Sequence, residues 1–161
     1  MQINLLFVCT GNTCRSVMAQ GLMDELVQEL GEEDVIRVQS AGVAACHGVE
    51  ATEEALQVLT ERGIDMGGHR TRPVTEGSLA HADLVLSMTR GQRDMIKRMY
   101  PEAADKVFSL KEYIGVDGDI EDPIGMPQEA YHRTADKLEK ILLKAAKKIL
   151  KHRDAHGPTP F

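Results

Sequence analysis

The chain has 161 residues, of which 42% are hydrophobic and 27% are charged, and these values are typical of one globular domain in water. The formal net charge of -6 argues against nucleic acid as a partner, because phosphate backbones are bound by clustered basic surfaces. The first residues lack the pattern of a signal peptide, and no apolar run reaches the roughly 18 residues that span a bilayer. We therefore expect a cytoplasmic protein that binds neither nucleic acid nor membranes.

An odd number of cysteines in a chain of this size favours reduced thiols over a disulfide-stapled secreted fold. The cysteines are Cys9, Cys14 and Cys46. Cys46 is followed by His47, but no further Cys/His cluster lies nearby at the spacing of a zinc site. We therefore expect no zinc site at these residues.

Apolar segments of two kinds alternate along the chain. Short runs rich in β-branched and aliphatic residues predict strands over residues 3–8, 34–39, 83–88 and 106–110. Apolar residues at helical spacing predict helices over residues 16–30, 52–63, 75–82 and 89–100, and a last helix from Pro127. Ser16 is expected near the cap of the first helix, and residues 40–42 are expected to end the second strand.

Strands that alternate with helices predict an α/β domain whose parallel sheet is covered by helices on both faces. We place this domain at residues 1–153 and expect residues 154–161 to form a disordered tail. In sheets of this kind, ligands bind beyond the carboxyl ends of the strands. A ligand site is therefore expected where the first strand ends.

The loop from Cys9 to Ser16 follows the first strand and leads into the first helix. A short loop before a helix N-terminus directs several backbone N–H groups at one spot, where the helix dipole adds partial positive charge. Such a spot binds an anion, and Arg15 adds a guanidinium suited to bidentate contact with phosphate oxygens. The same groups would stabilise a thiolate and then the oxygens of a transferring phosphoryl group. The loop therefore predicts a Cys9 thiolate that faces a bound phosphoryl group.

The spacing of Cys9 and Arg15 is weak evidence by itself, because an arginine six positions after a cysteine arises easily by chance. The residues between and beside them make it more specific. Gly11 permits a tight turn, Asn12 tolerates left-handed geometry, and Ser16 can bond either the helix end or the thiolate. The alternative is that Cys9 is a small buried hydrophobic residue, as most free cysteines are. That alternative leaves the glycine, the arginine and the helix start unexplained.

Residues 115–126 form an acidic loop before the last helix. Cleavage of a phosphoryl bond needs a proton for the leaving group and then a base for water, and one carboxylate can serve in both steps. The candidates are Asp117, Asp119, Glu121 and Asp122. Pro123 favours Asp122, because a proline restricts the backbone of the residue before it. The alternative is an acidic loop that is merely solvated.

At these motifs the chain resembles the low-molecular-weight protein-tyrosine-phosphatase family. The resemblance covers most of the chain and rests on residues 8–16, 40–42, 68–70, 87–89 and 122–123. It implies a single-domain, flavodoxin-like, three-layer fold with four parallel strands in the order 2-1-3-4. It also implies a cysteinyl-phosphate intermediate without a metal or cofactor, and we expect a monomer.

The resemblance gives roles to individual residues. It assigns Cys9 as the nucleophile, Arg15 as the phosphate clamp and Asp122 as the general acid. The other residues of the loop are expected to bind the substrate: Thr10, Gly11, Asn12, Thr13, Cys14 and Ser16. Four residues are expected to hold the loop in shape: Asn12, Ser16, Ser40 and His69.

Within the family, Thr13 makes the loop similar to that of bacterial protein-arginine phosphatases, in which the matching threonine selects phosphoarginine. Tyrosine-directed members usually carry an aliphatic residue there, and aromatic residues after the Asp-Pro pair where this chain has Ile124 and Gly125. Phosphorylated proteins are thus the expected partners, with phosphoarginine ahead of phosphotyrosine. The alternative is that Thr13 only fills space. Val17 departs from the proline common at its position in the family.

Two other functions are less well supported by the same residues. Arsenate reduction on this fold needs two further cysteines late in the chain, and none follows Cys46. A non-enzymatic, anion-binding adaptor would be expected to lose Cys9, Arg15 or Asp122, and all three are present.

Two features leave alternatives open. Cys14 either packs beneath the loop or forms a disulfide with Cys9 that protects the nucleophile from oxidation. Residues 127–153 carry eight Lys or Arg against three Asp or Glu. This basic segment is either a solvated helix face or a docking surface for an acidic partner.

Overall fold

Four short strands form the centre of the structure, a computed structural model that describes residues 2–156. The strands are β1 (Ile3–Cys9), β2 (Ile36–Gly42), β3 (Leu84–Ser87) and β4 (Val107–Ser109). They pair in parallel in the order β2-β1-β3-β4. The predicted α/β fold with the strand order 2-1-3-4 is therefore confirmed.

Helices make most of the connections between these strands. They are α1 (Arg15–Glu29), α2 (Glu53–Glu61), α3 (Glu76–His81), α4 (Arg90–Met99), α5 (Leu110–Tyr113) and α6 (Gln128–His156), with a 3-10 helix at Pro101–Lys106. None of the helices within residues 2–156 combines the length and the apolar character that crossing a bilayer requires.

The sheet is buried on both faces, because alternate residues of its strands belong to two separate cores. Leu5 and Phe7 of β1 pack in the larger core with residues of α1, α2 and α6. Leu6 and Val8 pack in the smaller core with residues of α3 and α4. Burying a large aliphatic side chain stabilises a fold by about 1.5–3 kcal/mol, so each layer is fixed against the sheet. The predicted three-layer arrangement is confirmed.

The end of β2 differs from the prediction. Residues 40–42 were expected to end the strand, but they lie inside it, and Gly42 pairs with Cys9 at the carboxyl end of β1. The small side chains of this segment gave it the appearance of a turn. Its position beside β1 brings the end of β2 against the loop that follows Cys9.

Two short helical elements were not predicted from periodicity. The 3-10 helix has six residues and α5 has four, so neither is long enough to show a helical repeat. Ser109 and Glu112 form a capping box at the start of α5, and this Ser-x-x-Glu pattern is the one sequence signal that could have found it.

The last helix is longer than expected. It continues through His156, past the predicted domain boundary at residue 153, and Arg153 donates a hydrogen bond of 3.0 Å to Glu32. The rest of the predicted tail, residues 157–161, lies outside the described residues. The helix packs along α1 and reaches α2 and α5, and Gln128 in its first turn donates to the carbonyl of Glu54 at 3.0 Å.

Candidate active site

The loop from Cys9 to Ser16, called the phosphate loop below, connects the end of β1 to the first turn of α1. Asn12 is its left-handed residue, with φ of 57°. Asparagine tolerates this conformation better than other residues that carry a side chain. Asn12 was expected to tolerate left-handed geometry, and it is the residue that adopts it. Gly11, expected only to permit a turn, does not have a φ in this range.

Asn12 is fully buried and forms the centre of a hydrogen-bond network beneath the phosphate loop. Its side-chain amide donates to the hydroxyls of Ser16 at 2.9 Å and Ser40 at 3.0 Å. Its side-chain oxygen accepts from the backbone N–H of Arg72 at 3.0 Å. Nε2 of His69 lies 2.9 Å from the backbone oxygen of Asn12. The structure thus brings together Asn12, Ser16, Ser40 and His69, the four residues expected to support the loop.

The charge state of His69 fits this supporting position. Burial is the largest cause that lowers its pKa, and the nearby Arg72 and Arg70 lower it further, against the hydrogen bond to Asn12. A neutral imidazole with its proton on Nε2 donates to the Asn12 carbonyl. His69 therefore acts on the backbone of the loop.

The Cys9 thiol is 2% exposed and is surrounded by donors of the same loop. The backbone N–H of Asn12 donates to Sγ at 3.2 Å, and the Ser16 hydroxyl lies 2.9 Å from it. Ser16 was expected near the helix cap. The N-cap is Cys14, two residues earlier, without a side-chain cap, and the Ser16 hydroxyl contacts the Cys9 sulfur and the Asn12 amide. Both contacts to the Cys9 sulfur are of the kind that stabilise a thiolate.

Arg15 is almost fully buried and is held by the acidic loop of residues 115–126. Nη1 donates to the carbonyl of Ile120 at 3.1 Å, and Nη2 donates to Oδ2 of Asp122 at 3.3 Å. Nε is buried without a partner in the described structure. Leaving such a donor unpaired is costly, so this atom points to an anion as the intended partner.

Of the four candidate acids, Asp122 is the one that contacts the phosphate loop. Besides Arg15, its carboxylate accepts from the Cys14 thiol at 3.6 Å and from the backbone N–H of Ile124 at 3.1 Å. Its side chain is still 40% exposed, so a substrate and water can reach it. Asp119 instead contacts the start of α4. Within residues 2–156, neither of the other two acids forms a hydrogen bond or an ion pair.

Cys14 is a buried thiol of the phosphate loop that lies beside Cys9 and Asp122. Burial, followed by the proximity of Cys9 and Asp122, raises the pKa of Cys14 to about 12. Cys14 therefore stays protonated at neutral pH and donates to Asp122. Both thiols are free in the structure, and the protective disulfide between them stays a prediction.

Thr13 lies on the exposed side of the phosphate loop and is partly accessible. Its carbonyl accepts a hydrogen bond of 2.9 Å from the backbone N–H of Thr52, which fixes its backbone. Its hydroxyl makes no hydrogen bond to the described part of the chain. That hydroxyl is therefore free to contact a substrate.

Two residues beside the phosphate loop were missed from the sequence. Gln92 accepts from the backbone N–H groups of Met88 and Thr89 and donates to the Thr10 hydroxyl at 3.0 Å. The Thr-x-x-Gln pattern at the start of α4 predicts the cap, but it does not show that the same side chain reaches Thr10. Gly42 leaves no room for a side chain, because a Cβ there would lie 2.5 Å from the Thr10 carbonyl oxygen.

A buried cysteine at the end of a parallel strand, an arginine six residues later and a carboxylate from a distant loop form the arrangement of a cysteine-based phosphatase. The comparison with protein families agrees with this geometry. The chain belongs to the low molecular weight phosphotyrosine protein phosphatase family, whose model matches residues 4–155.

Individual relatives show the range of this family. The chain is 43% identical to a protein-arginine-phosphatase of Geobacillus stearothermophilus, over 92% of this chain and 97% of that protein. It is 33% identical to the low molecular weight protein-tyrosine-phosphatase Ptp of Acinetobacter johnsonii, over 82% and 87% respectively. Among solved structures, a YwlE arginine phosphatase variant with a phosphorylated active-site serine superposes with a TM-score of 0.90 at 40% identity, covering 94% of this chain and 99% of that chain.

Proposed function

We propose that this chain is a protein phosphatase that removes the phosphoryl group from phosphoarginine through a cysteinyl-phosphate intermediate. The observation that carries the proposal is that Cys9, Arg15 and Asp122 lie together in one site. The thiol is surrounded by donors of its own loop. Arg15, whose buried Nε lacks a partner among the described residues, is hydrogen-bonded to Asp122, the candidate acid that reaches this loop.

In the first step the phosphoryl group lies in the phosphate loop, where backbone N–H groups and Arg15 neutralise its oxygens. The Cys9 thiolate attacks phosphorus, and the bond from phosphorus to the leaving nitrogen breaks. Asp122 donates its proton to that nitrogen, so the arginine side chain departs as a stable group. The products of this step are a free arginine side chain and a phosphorus–sulfur bond at Cys9.

In the second step Asp122, now a carboxylate, takes a proton from a water molecule as that water attacks phosphorus. The phosphorus–sulfur bond breaks, the Cys9 thiolate is restored, and inorganic phosphate leaves. Asp122 regains the proton that it gave away in the first step. The cycle consumes one water and needs no group beyond those of this site.

Thr13 and the residues after Pro123 favour phosphoarginine over phosphotyrosine. The free hydroxyl of Thr13 can bond a polar guanidinium group or the attacking water, whereas an aliphatic side chain could not. After Pro123 the chain has Ile124, which is 57% exposed, and then Gly125, so no aromatic wall stands there to stack on a tyrosine ring. The relative from Geobacillus stearothermophilus is named for the arginine activity. Phosphotyrosine is the second candidate, because other relatives are named for it.

All groups of the proposed mechanism come from a single chain, so a monomer suffices for activity. A free nucleophilic thiol is preserved best in a reducing compartment. We therefore include a monomeric, cytoplasmic enzyme acting on phosphorylated proteins in the proposal.

The proposal is tested by comparing phosphoarginine and phosphotyrosine peptides as substrates of the wild type and of Thr13→Ile. We expect the wild type to prefer phosphoarginine, and Thr13→Ile to shift the ratio of kcat/KM values towards phosphotyrosine by about tenfold, as expected for one lost polar contact in a pocket. Thr60→Ile makes the same change at an exposed position of α2 and should leave the ratio unchanged. If the wild type and Thr13→Ile both preferred phosphotyrosine, the arginine specificity would be wrong.

A further inference from the structure

The loop that carries Asp122 has no helix or strand of its own, and residues 119–120 fix it to the rest of the molecule. The Ile120 side chain is 4% exposed. Its backbone N–H donates to the Met88 carbonyl at 2.9 Å, and its carbonyl accepts from Arg15. One exposed residue then separates Ile120 from Asp122. The position of the Asp122 carboxylate therefore depends on how firmly residues 119–120 are held.

Asp119 makes the second part of this attachment. Its Oδ1 accepts from the backbone N–H of Arg90 at 2.9 Å and from Nε of the same residue at 3.2 Å. Arg90 is the first residue of α4, and the first N–H groups of a helix have no partner within it. The hydrogen bond from this N–H is the largest cause that lowers the pKa of Asp119. Asp119 thus supplies the acceptor that this N–H lacks.

The start of α4 is next to the phosphate loop. Thr89 caps the helix, and Gln92 of the same turn donates to the Thr10 hydroxyl. A carboxylate attached to the Arg90 N–H is therefore anchored to the same framework that holds the nucleophile. Asp122 lies three residues further along the loop.

We propose that Asp119 is a positioning residue that anchors the acidic loop to the first N–H of α4 and so places the Asp122 carboxyl for proton transfer. The inference rests on the proposed function, because it assumes that Asp122 is the general acid. Asp119 itself does not touch the substrate. Its effect on the reaction passes through Asp122.

The contact can be removed from either side. Asp119→Ala deletes the acceptor. Arg90→Pro deletes the donor, and the first position of a helix tolerates proline well. Thr89 already has the extended backbone (φ -131°, ψ 159°) that a following proline requires. Arg90→Ala keeps the N–H and removes only the exposed guanidinium, whose ion pair is expected to matter little. Asp117→Ala is the matched control, because Asp117 lies two residues away on the same loop and makes no hydrogen bond or ion pair within residues 2–156.

The readout is kcat/KM for two aryl phosphates, because this constant reports the phosphoryl transfer to Cys9. Phenyl phosphate has a poor leaving group that needs a proton, whereas p-nitrophenyl phosphate has a good one that does not. We expect Asp119→Ala and Arg90→Pro to lower kcat/KM for phenyl phosphate by about tenfold, the scale of a small misplacement of a catalytic group. The loss for p-nitrophenyl phosphate should stay below about threefold, and Asp117→Ala and Arg90→Ala should change neither value by more than about twofold.

A second measurement separates positioning from a general loss of structure. If Asp119 acts through Asp122, then Asp119→Ala should cause no further loss for phenyl phosphate in a chain that already carries Asp122→Ala. An equal loss for both substrates, a further loss in the Asp122→Ala background, or no loss at all would each overturn the inference. The proposed function fails by a different result, namely a wild type that hydrolyses neither phosphoarginine nor the aryl phosphates, or a Cys9→Ser variant that still turns over.

Discussion

Asn12 combines a left-handed backbone with side-chain hydrogen bonds that join the phosphate loop to β2 and to the segment around Arg72. Its replacement should therefore have two separable costs. Asn12→Ala leaves buried polar groups unpaired and also forces a residue with a Cβ into left-handed geometry. We expect it to lower the free energy of unfolding by about 3 kcal/mol and kcat/KM by about a hundredfold.

Asn12→Gly separates these two costs, because glycine adopts the left-handed conformation freely. It should lose the same hydrogen bonds and the same activity, but recover about 1 kcal/mol of the free energy of unfolding relative to Asn12→Ala. Urea denaturation of the two variants measures the difference. Equal stability of the alanine and glycine variants would show that the backbone of the loop is not strained.

For individual residues of the site, the sequence predicted correctly which side chains lie close together. It predicted their hydrogen-bond partners less well. The resemblance placed Asn12, Ser16, Ser40 and His69 around the phosphate loop, and the structure brings them together. Ser16 was expected near the helix cap, with either the helix end or the thiolate as its partner. The pattern could not choose between the two. The structure places the N-cap at Cys14, two residues earlier, and the Ser16 hydroxyl contacts the sulfur.

The end of β2 shows how an element can limit the active site without supplying a catalytic group. A Cβ at Gly42 would lie 2.5 Å from the Thr10 carbonyl oxygen and 3.0 Å from the Asn12 backbone nitrogen. Both atoms belong to the backbone of the phosphate loop, so neither can rotate away. Gly42→Ala must therefore move β2 and the loop apart.

We expect Gly42→Ala to lower kcat/KM by about a hundredfold, because the loop donors are displaced from the phosphoryl group, and to destabilise the fold by about 1–3 kcal/mol through overpacking. Gly77→Ala is the matched control. A Cβ at that position of α3 meets only the Thr75 hydroxyl at 3.8 Å, and alanine is the better helix former. Steady-state kinetics and chemical denaturation of both variants check the expectation, and full activity of Gly42→Ala would contradict the close packing seen here.

The existence and type of the longer elements could be predicted from the sequence, because β1, α1 and α6 carry strong apolar patterns. The 3-10 helix and α5 could not, since elements of six and four residues are too short for periodicity. The need for glycine at position 42 was missed for another reason. It arises from contact with the phosphate loop across the sheet, and no local pattern reports on such a contact.

For the whole molecule, alternation of strands and helices predicted the fold class but not the order of the strands. That order came from the family resemblance, because several doubly covered parallel sheets fit the same alternation. The choice of Asp122 was limited in the same way. Four acids share one loop in the sequence. Pro123 and the resemblance favoured Asp122, but only the folding of that loop shows that Asp122 contacts Arg15 while Asp119 contacts α4.

Two groups, the buried His69 and the partly buried Asp24, contribute to the pH dependence of global stability in opposite directions. Burial lowers the pKa of His69, so on acidification the unfolded chain binds a proton at His69 before the folded state does. The stabilising contribution of His69 is therefore lost as the pH falls below its ordinary value of 6.5. Burial raises the pKa of Asp24 from 3.8 to about 6, so the folded state holds a proton that the unfolded chain releases. The contribution of Asp24 is present below pH 3.8 and is lost as the pH rises to about 6.

At neutral pH the Asp24 carboxylate is thus a cost to the folded state, and it makes no hydrogen bond or ion pair within the described residues to offset that cost. Asp24→Asn removes the charge and keeps the shape. We expect it to raise the free energy of unfolding at pH 7.5 by about 1–2 kcal/mol, which is less than the full pKa shift implies because the group is partly exposed. At pH 3.5 the two proteins should be equally stable within error, since Asp24 is then largely protonated in both states.

Urea denaturation of the wild type and Asp24→Asn across this range gives a difference curve in which the His69 contribution cancels. Glu29→Gln, an exposed carboxylate on the same helix, controls for the loss of one negative charge, and a gain in stability that is the same at both pH values would show that burial of Asp24 is not its cause.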